Sequence, residues 1–146
     1  VSLPPIPAGL APLPDAEKAI ADLLAARSEL ASVASVGDRI PTDYDGSQLV
    51  VTVDRLGGPA DRSTMSWRET VHLDIKSYGA TKADAAALSA TVRYLVAALP
   101  YLESPSVVFE ASAENVGPQW FPDATADYPE SGYYLLQVAV TLHPAP

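Results

Sequence analysis

The sequence predicts an α+β fold: an antiparallel-rich sheet of four to five strands with two helices packed on one face, in the order α-(β)-β-β-α-β-β. Two patterns and the overall size carry this. Around residues 67–76, Trp67, Val71, Leu73 and Ile75 fall on one side, while Arg68, Thr70, His72, Asp74 and Lys76 fall on the other. That two-residue period is the mark of a strand with one packed and one wet face. Between Thr81 and Leu99, the residues Leu88, Val92, Leu95, Val96 and Leu99 lie at i, i+4, i+7, i+8 and i+11, a single helical stripe. The chain has 146 residues, 48% apolar and 18% charged, which suits one globular domain over 15–146.

The elements follow in chain order. Residues 1–14 (VSLPPIPAGLAPLP) form a Pro-rich N-terminal arm, because proline blocks a helix and favours extended polyproline backbone. Leu3, Ile6, Leu10 and Leu13 leave two readings open: a disordered terminus, or an arm that docks on this subunit or a neighbour. Asp15 is placed to cap a helix carrying Ile20, Leu23, Leu24 and Arg27 at helical spacing. A short strand is expected at Ser32–Val36, then a loop over 38–46 (DRIPTDYDG). Leu49–Val53 reads as a buried strand, and Arg55-Leu56-Gly57-Gly58-Pro59 as a turn opening an exposed hairpin loop over 57–66. Glu69 alone interrupts the apolar face of the next strand, near its entrance. Thr81 and Asp84 resemble a capping box at the start of the second helix, and Pro100 ends it. A strand over Val107–Glu114 precedes a long loop, 117–132 (GPQWFPDATADYPESG), and the last strand is expected over Tyr133–His143.

Composition narrows the function classes. With no cysteine there is no disulfide framework, thiol nucleophile or Cys-based zinc site. No apolar run approaches the roughly 18–20 residues that span a bilayer, and no basic stretch opens the chain, so neither membrane insertion nor a signal peptide is expected. The net charge is −9, which disfavours sequence-blind binding to nucleic acid or to anionic membranes. Arg93 is the last Lys or Arg; beyond it lie Glu103, Glu110, Glu114, Asp123, Asp127 and Glu130. Such a surface keeps a protein soluble, or repels a polyanion passing close by.

Motifs for catalysis or cofactors are missing. His72 and His143 sit on polar strand faces outside any metal-binding spacing. Asp74 lies two residues from His72 on the same face, with no nucleophile signature beside it. Asp38, Asp43, Asp45 and Gly46 form only a fragment of a calcium loop, without its closing Glu. Neither phosphate-loop nor dinucleotide glycine pattern occurs. The expectation is a non-enzymatic protein with no catalytic residue, metal or cofactor. Trp120 and Phe121, in a Pro-flanked loop with Tyr128, Tyr133 and Tyr134 nearby, either tuck that loop onto the core or anchor a partner.

Several phrases resemble the tail terminator proteins of long-tailed, siphovirus-type bacteriophages, especially those of actinobacterial hosts. They are Gly37-Asp38-Arg39-Ile40-Pro41, Val51-Thr52-Val53-Asp54-Arg55-Leu56-Gly57-Gly58, the alternating strand, the Ala-rich helix and Val116-Gly117-Pro118-Gln119-Trp120-Phe121-Pro122-Asp123. The likeness spans about residues 14–144, and the Gly117–Asp123 phrase is its most specific part. The resemblance implies a virion protein of the tail or neck that forms a homo-oligomeric ring, usually a hexamer. Such a ring caps the finished tail tube, ends polymerisation and meets the head–tail connector, while DNA passes through its lumen without specific binding. The alternatives are another head–tail connector or tail-tube component, or a cellular small α+β module that binds a ligand. A ring needs two different contact patches on each subunit. Arg55, Arg62 and Arg68 cluster near one loop, and Trp120, Phe121, Asp123 and Asp127 lie in or beside the other. Pairing across a subunit boundary predicts that Arg62→Glu weakens ring assembly, checked by native mass or light scattering; unchanged assembly would count against the pairing.

Overall fold

The computed structural model describes residues 14–57, 60, 61 and 68–146, together with Ser2, Pro4 and Pro5. Most of the N-terminal arm and most of the 57–66 loop, Arg62 included, lie outside the described residues. Helix α1 spans Ala16–Ala26 and α2 Lys82–Ala97; the strands are β1 Ser35–Gly37, β2 Val50–Gly57, β3 Ala60–Asp61, β4 Arg68–Gly79, β5 Val107–Pro122 and β6 Gly132–Pro144. The sheet runs β1-β2-β4-β6-β5, with the two-residue β3 added beside the start of β4. β1 and β2 are parallel and every other pair is antiparallel. The fold is therefore α+β in the expected element order, with β3 as a small addition.

Both helices pack on one face. Asp15 caps α1, its carboxylate accepting from the Lys18 N–H at 3.0 Å. Ala16, Ile20 and Leu24 are then fully buried, one turn apart. Thr81 caps α2 by accepting from the Asp84 N–H at 3.2 Å. Leu88, Val92, Leu95 and Val96 carry its buried stripe. They join Ile20, Leu24 and Leu30 over Val51, Val53, Val71, Leu73, Ile75, Leu136, Val138 and Val140 in a single core. Pro100 sits in one 3₁₀ turn, Leu99–Tyr101, just past the helix it was expected to stop.

Glu69, the odd residue on the apolar face, is buried and paired with Arg55. The backbone N–H of Arg55 donates to the Glu17 carboxylate at 2.8 Å. This contact falls where the β2–β4 register slips, between Arg55 and Gly57, and ties the first turn of α1 to β2. At the other end of β4, Gly79 lets α2 approach closely: a Cβ there would stand 2.6 Å from the Ala85 backbone nitrogen.

Several sequence expectations are corrected, among them the turn expected from Arg55, where β2 instead continues through Gly57. The strand predicted over Val107–Glu114 continues through Pro122, so the connection to β6 covers only 123–131, not 117–132. Pro118 falls in the stretch expected to be loop. It lies in a bulge, where the β5–β6 register jumps from Val116 to Gln119, and β5 is an edge strand. A missing N–H costs no ladder bond there. The first strand is likewise shifted, to Ser35–Gly37 from the expected Ser32–Val36.

Gly79→Ala should lower stability by roughly 1–3 kcal/mol, because the new methyl group meets helix backbone rather than a movable side chain. Urea unfolding would read this as a lower midpoint with an unchanged slope.

Candidate functional site

The described residues form two chemically different ends of one sheet. β4 sets their separation: its twelve residues span roughly 35–40 Å.

At the first end meet the start of β2, the end of β4, the end of β5 and the start of β6. Tyr78 pairs with Tyr133 across the β4–β6 ladder, their rings 5.0 Å apart. Phe121 stacks on Tyr133 at 5.4 Å, and Tyr44 meets Tyr78 edge-on at 5.8 Å. Trp120 points to the opposite, helix-bearing side, against Tyr134 at 5.2 Å and beneath the Lys82 ammonium. Both residues thus belong to a strand and are half-buried, whereas the sequence suggested a loop. Their neighbour Gly132 is compelled: a Cβ there would lie 2.5 Å from the Phe121 carbonyl oxygen and 2.7 Å from the Trp120 ring.

Two loops close this end. The Thr125 hydroxyl donates to the Asp45 carbonyl at 3.2 Å, and it accepts from the Tyr128 N–H at 3.1 Å. Gly46, at φ +97°, leaves the space that Thr125 and Tyr128 occupy. The Asp45 carboxylate accepts from the Ser47 hydroxyl and from the Ser47 N–H, the latter at 2.9 Å, which holds it below the usual carboxylate range and commits it to a local turn. Asp123 and Ser131 close the hairpin loop through Asp123 N–H to Ser131 carbonyl at 3.0 Å and Ser131 hydroxyl to Asp123 carbonyl at 2.9 Å. The side chains of Asp43, Asp123, Asp127 and Glu130 are exposed. The result is a pinned aromatic platform rimmed by acid.

At the opposite end lie Arg55 and Arg68. Arg55 is paired with Glu69 and Arg68 with Glu110, at 2.7 Å. The Arg68 guanidinium holds the Glu110 carboxyl below its ordinary range, helped by His143 3.4 Å away. The sheet thus holds the arginines at one end and Trp120, Phe121, Asp123 and Asp127 at the other.

The sheet face away from the helices is polar and paired within itself. The Thr70 and Thr141 hydroxyls are 2.9 Å apart, and the Gln137 amide donates to Asp74 at 2.9 Å. His72 faces Asn115 at 3.4 Å, so Asp74 and His72 have different partners. Among the described residues no group of three or more His, Asp or Glu side chains converges to hold a metal. No described helix is long and apolar enough to cross a membrane.

The aromatic stack was not legible from spacing, because Tyr44, Tyr78, Phe121 and Tyr133 come from four separate segments. The one available signal was the tyrosine–glycine ends of two strands, Tyr78-Gly79 and Gly132-Tyr133, which pair with each other. Burial pushes the Tyr78 phenol up to about 12, and Tyr133, Asp123, Tyr44 and Asp54 add to the shift. An unfolded chain releases this proton near pH 10 and the folded chain near 12. The stability it contributes is whole below pH 10 and is lost as pH rises through 12, roughly 2–3 kcal/mol in all. Tyr78→Phe should flatten the fall of stability between pH 10 and 12, followed by circular dichroism against urea; an equally steep fall would remove Tyr78 as its cause.

No protein-family model matches the sequence, and no curated protein matches it. Among solved structures, the chain is similar to a component of the virion of a native gene transfer agent particle. The likeness covers 88% of this chain and 94% of that one at a TM-score of 0.60 and 13% identity, which establishes a shared fold.

Proposed function

We propose that this chain is a structural subunit of a phage-like virion, a tail terminator that assembles as a ring on the end of the tail tube. The observation that carries the reading is the near end-to-end likeness to a chain from a gene transfer agent virion. It covers almost the whole domain rather than a common sub-motif, and it agrees with the tail terminator phrases in the sequence.

The geometry supports a part that works through its edges. A closed ring needs two unlike patches per subunit, and a cap needs two unlike faces, one toward the tube and one toward the connector. An acid-rimmed aromatic platform at one sheet end and ion-paired arginines at the other supply that difference. Aromatic residues are favoured as interface anchors because they bury much area with little loss of rotamer freedom. Asp123, Asp127 and Glu130 take part in none of the ion pairs among the described residues. Turned toward a lumen, such charges repel DNA phosphates and keep passing DNA from sticking. On this reading the chain is no enzyme, needs no cofactor, and resides in the tail or neck of the virion as a ring, with six subunits as the expected number.

The test is to add purified chain to isolated tail tubes and image them by electron microscopy. The expected result is density at one tube end only, with further growth by tube protein blocked. Absence of binding to tubes overturns the proposal. Incorporation along the tube, or binding to the connector alone, would make the chain a different virion component.

A further inference from the structure

A groove of about 530 Å³ runs between α2 and the second half of β5. Ala86, Ala90 and Ala97 form its helix side, Pro118 and Tyr134 its sheet side, and Tyr94 stands at its edge, 70% exposed. Its charged wall residue, Arg93, is already neutralised: two hydrogen bonds, of 2.6 and 2.8 Å, join it to Glu114. The groove therefore suits an uncharged occupant with apolar side chains. Aromatic-lined grooves can seat proline-rich segments, which bind as preformed extended helices at low entropic cost. The volume falls within the range of roughly 300–1,000 Å³ that accepts a ligand of a few residues' bulk.

The chain carries such a segment. Residues 1–14 contain five prolines, Leu3, Ile6, Leu10 and Leu13, and no charged side chain. Pro4 and Pro5 are exposed in the single chain. We propose that the proline-rich arm of one copy lies in the α2–β5 groove of the next copy. This rests on the ring reading above and adds the contact that links its subunits.

The topology favours exchange between copies. The arm leaves from α1, which packs on β1 and β2, whereas the groove lies over β5 at the opposite sheet edge. Glu17, at the root of the arm, lies beside Arg55, at the sheet end away from Trp120. A head-to-tail ring sets one patch of each subunit against a different patch of the next; an α1 edge set against a β5 edge would bring the arm within reach of the neighbour's groove. At about 3.1 Å per residue, the arm reaches roughly 40 Å, twice the roughly 19 Å between the two sheet edges.

The lack of cysteine makes the test clean. Full-length single-cysteine variants Ile6→Cys or Leu10→Cys are mixed on tail tubes, and separately at high concentration in solution, with Ala90→Cys, then oxidised. The expected result is a mixed disulfide dimer at least tenfold above that formed with Thr42→Cys, an exposed control that does not line the groove. No excess with either arm variant overturns the proposal. So does an intrachain disulfide in doubly substituted chains with none between mixed copies, which would place the arm in its own groove. Tube capping without cross-linking defeats this contact and leaves the proposed function standing. Cross-linking in solution without capping supports the contact and defeats the function.

Discussion

The antiparallel pairing of β4 with β6 runs from Glu69 and Leu142 to Gly79 and Gly132 with no register shift, and both outer ladders depend on it. The β2–β4 pairing slips once and the β5–β6 pairing slips three times. Because side chains alternate, a slip of one residue in the central pair would turn its whole apolar set away from the helices. Here Val71, Leu73 and Ile75 lie beside Val140, Val138 and Leu136 on the helix side, while Thr70 with Thr141 and Asp74 with Gln137 pair on the other. The ladder ends in two glycines opposite each other, each needed for a different reason. Gly79 admits the start of α2, and Gly132 admits Trp120 and the Phe121 backbone. The aromatic platform and the helix layer are thus set by the same register.

Charge is divided along this frame. The arginines of the described sheet and α2 are spent on carboxylates of the same chain: Arg55 on Glu69, Arg68 on Glu110, Arg93 on Glu114. Ion pairs as exposed as the last two contribute little to stability. Their larger effect is to leave the excess negative charge to the loops, where Asp43, Asp123, Asp127 and Glu130 are exposed.

Elements with a strong period were legible in the sequence. The alternation around Val71–Ile75 and the stripe from Leu88 to Val96 are observed as a strand and a helix, and Asp15 and Thr81 cap as their positions suggested. Local signals failed where tertiary geometry absorbed a breaker. Gly117-Pro118 reads as a loop, yet a bulge on an edge strand accommodates it and β5 continues to Pro122. Glu69 reads as a flaw in the apolar face, and only the fold brings Arg55 to it. The candidate residues divide the same way. Sequence proximity grouped the arginines and grouped Trp120 with Phe121, but could not show that the two groups lie at opposite ends of one sheet. The tyrosine platform needed four distant segments to meet.

The bulge in β5 has a consequence for the protein before it meets any partner. A sixteen-residue strand at a sheet edge is a template on which identical copies can zip together into fibres. Gly117 and Pro118 break that edge into two short runs, and Pro122 closes the second without an amide hydrogen to offer. An edge interrupted in this way is a poor template for pairing with copies of itself.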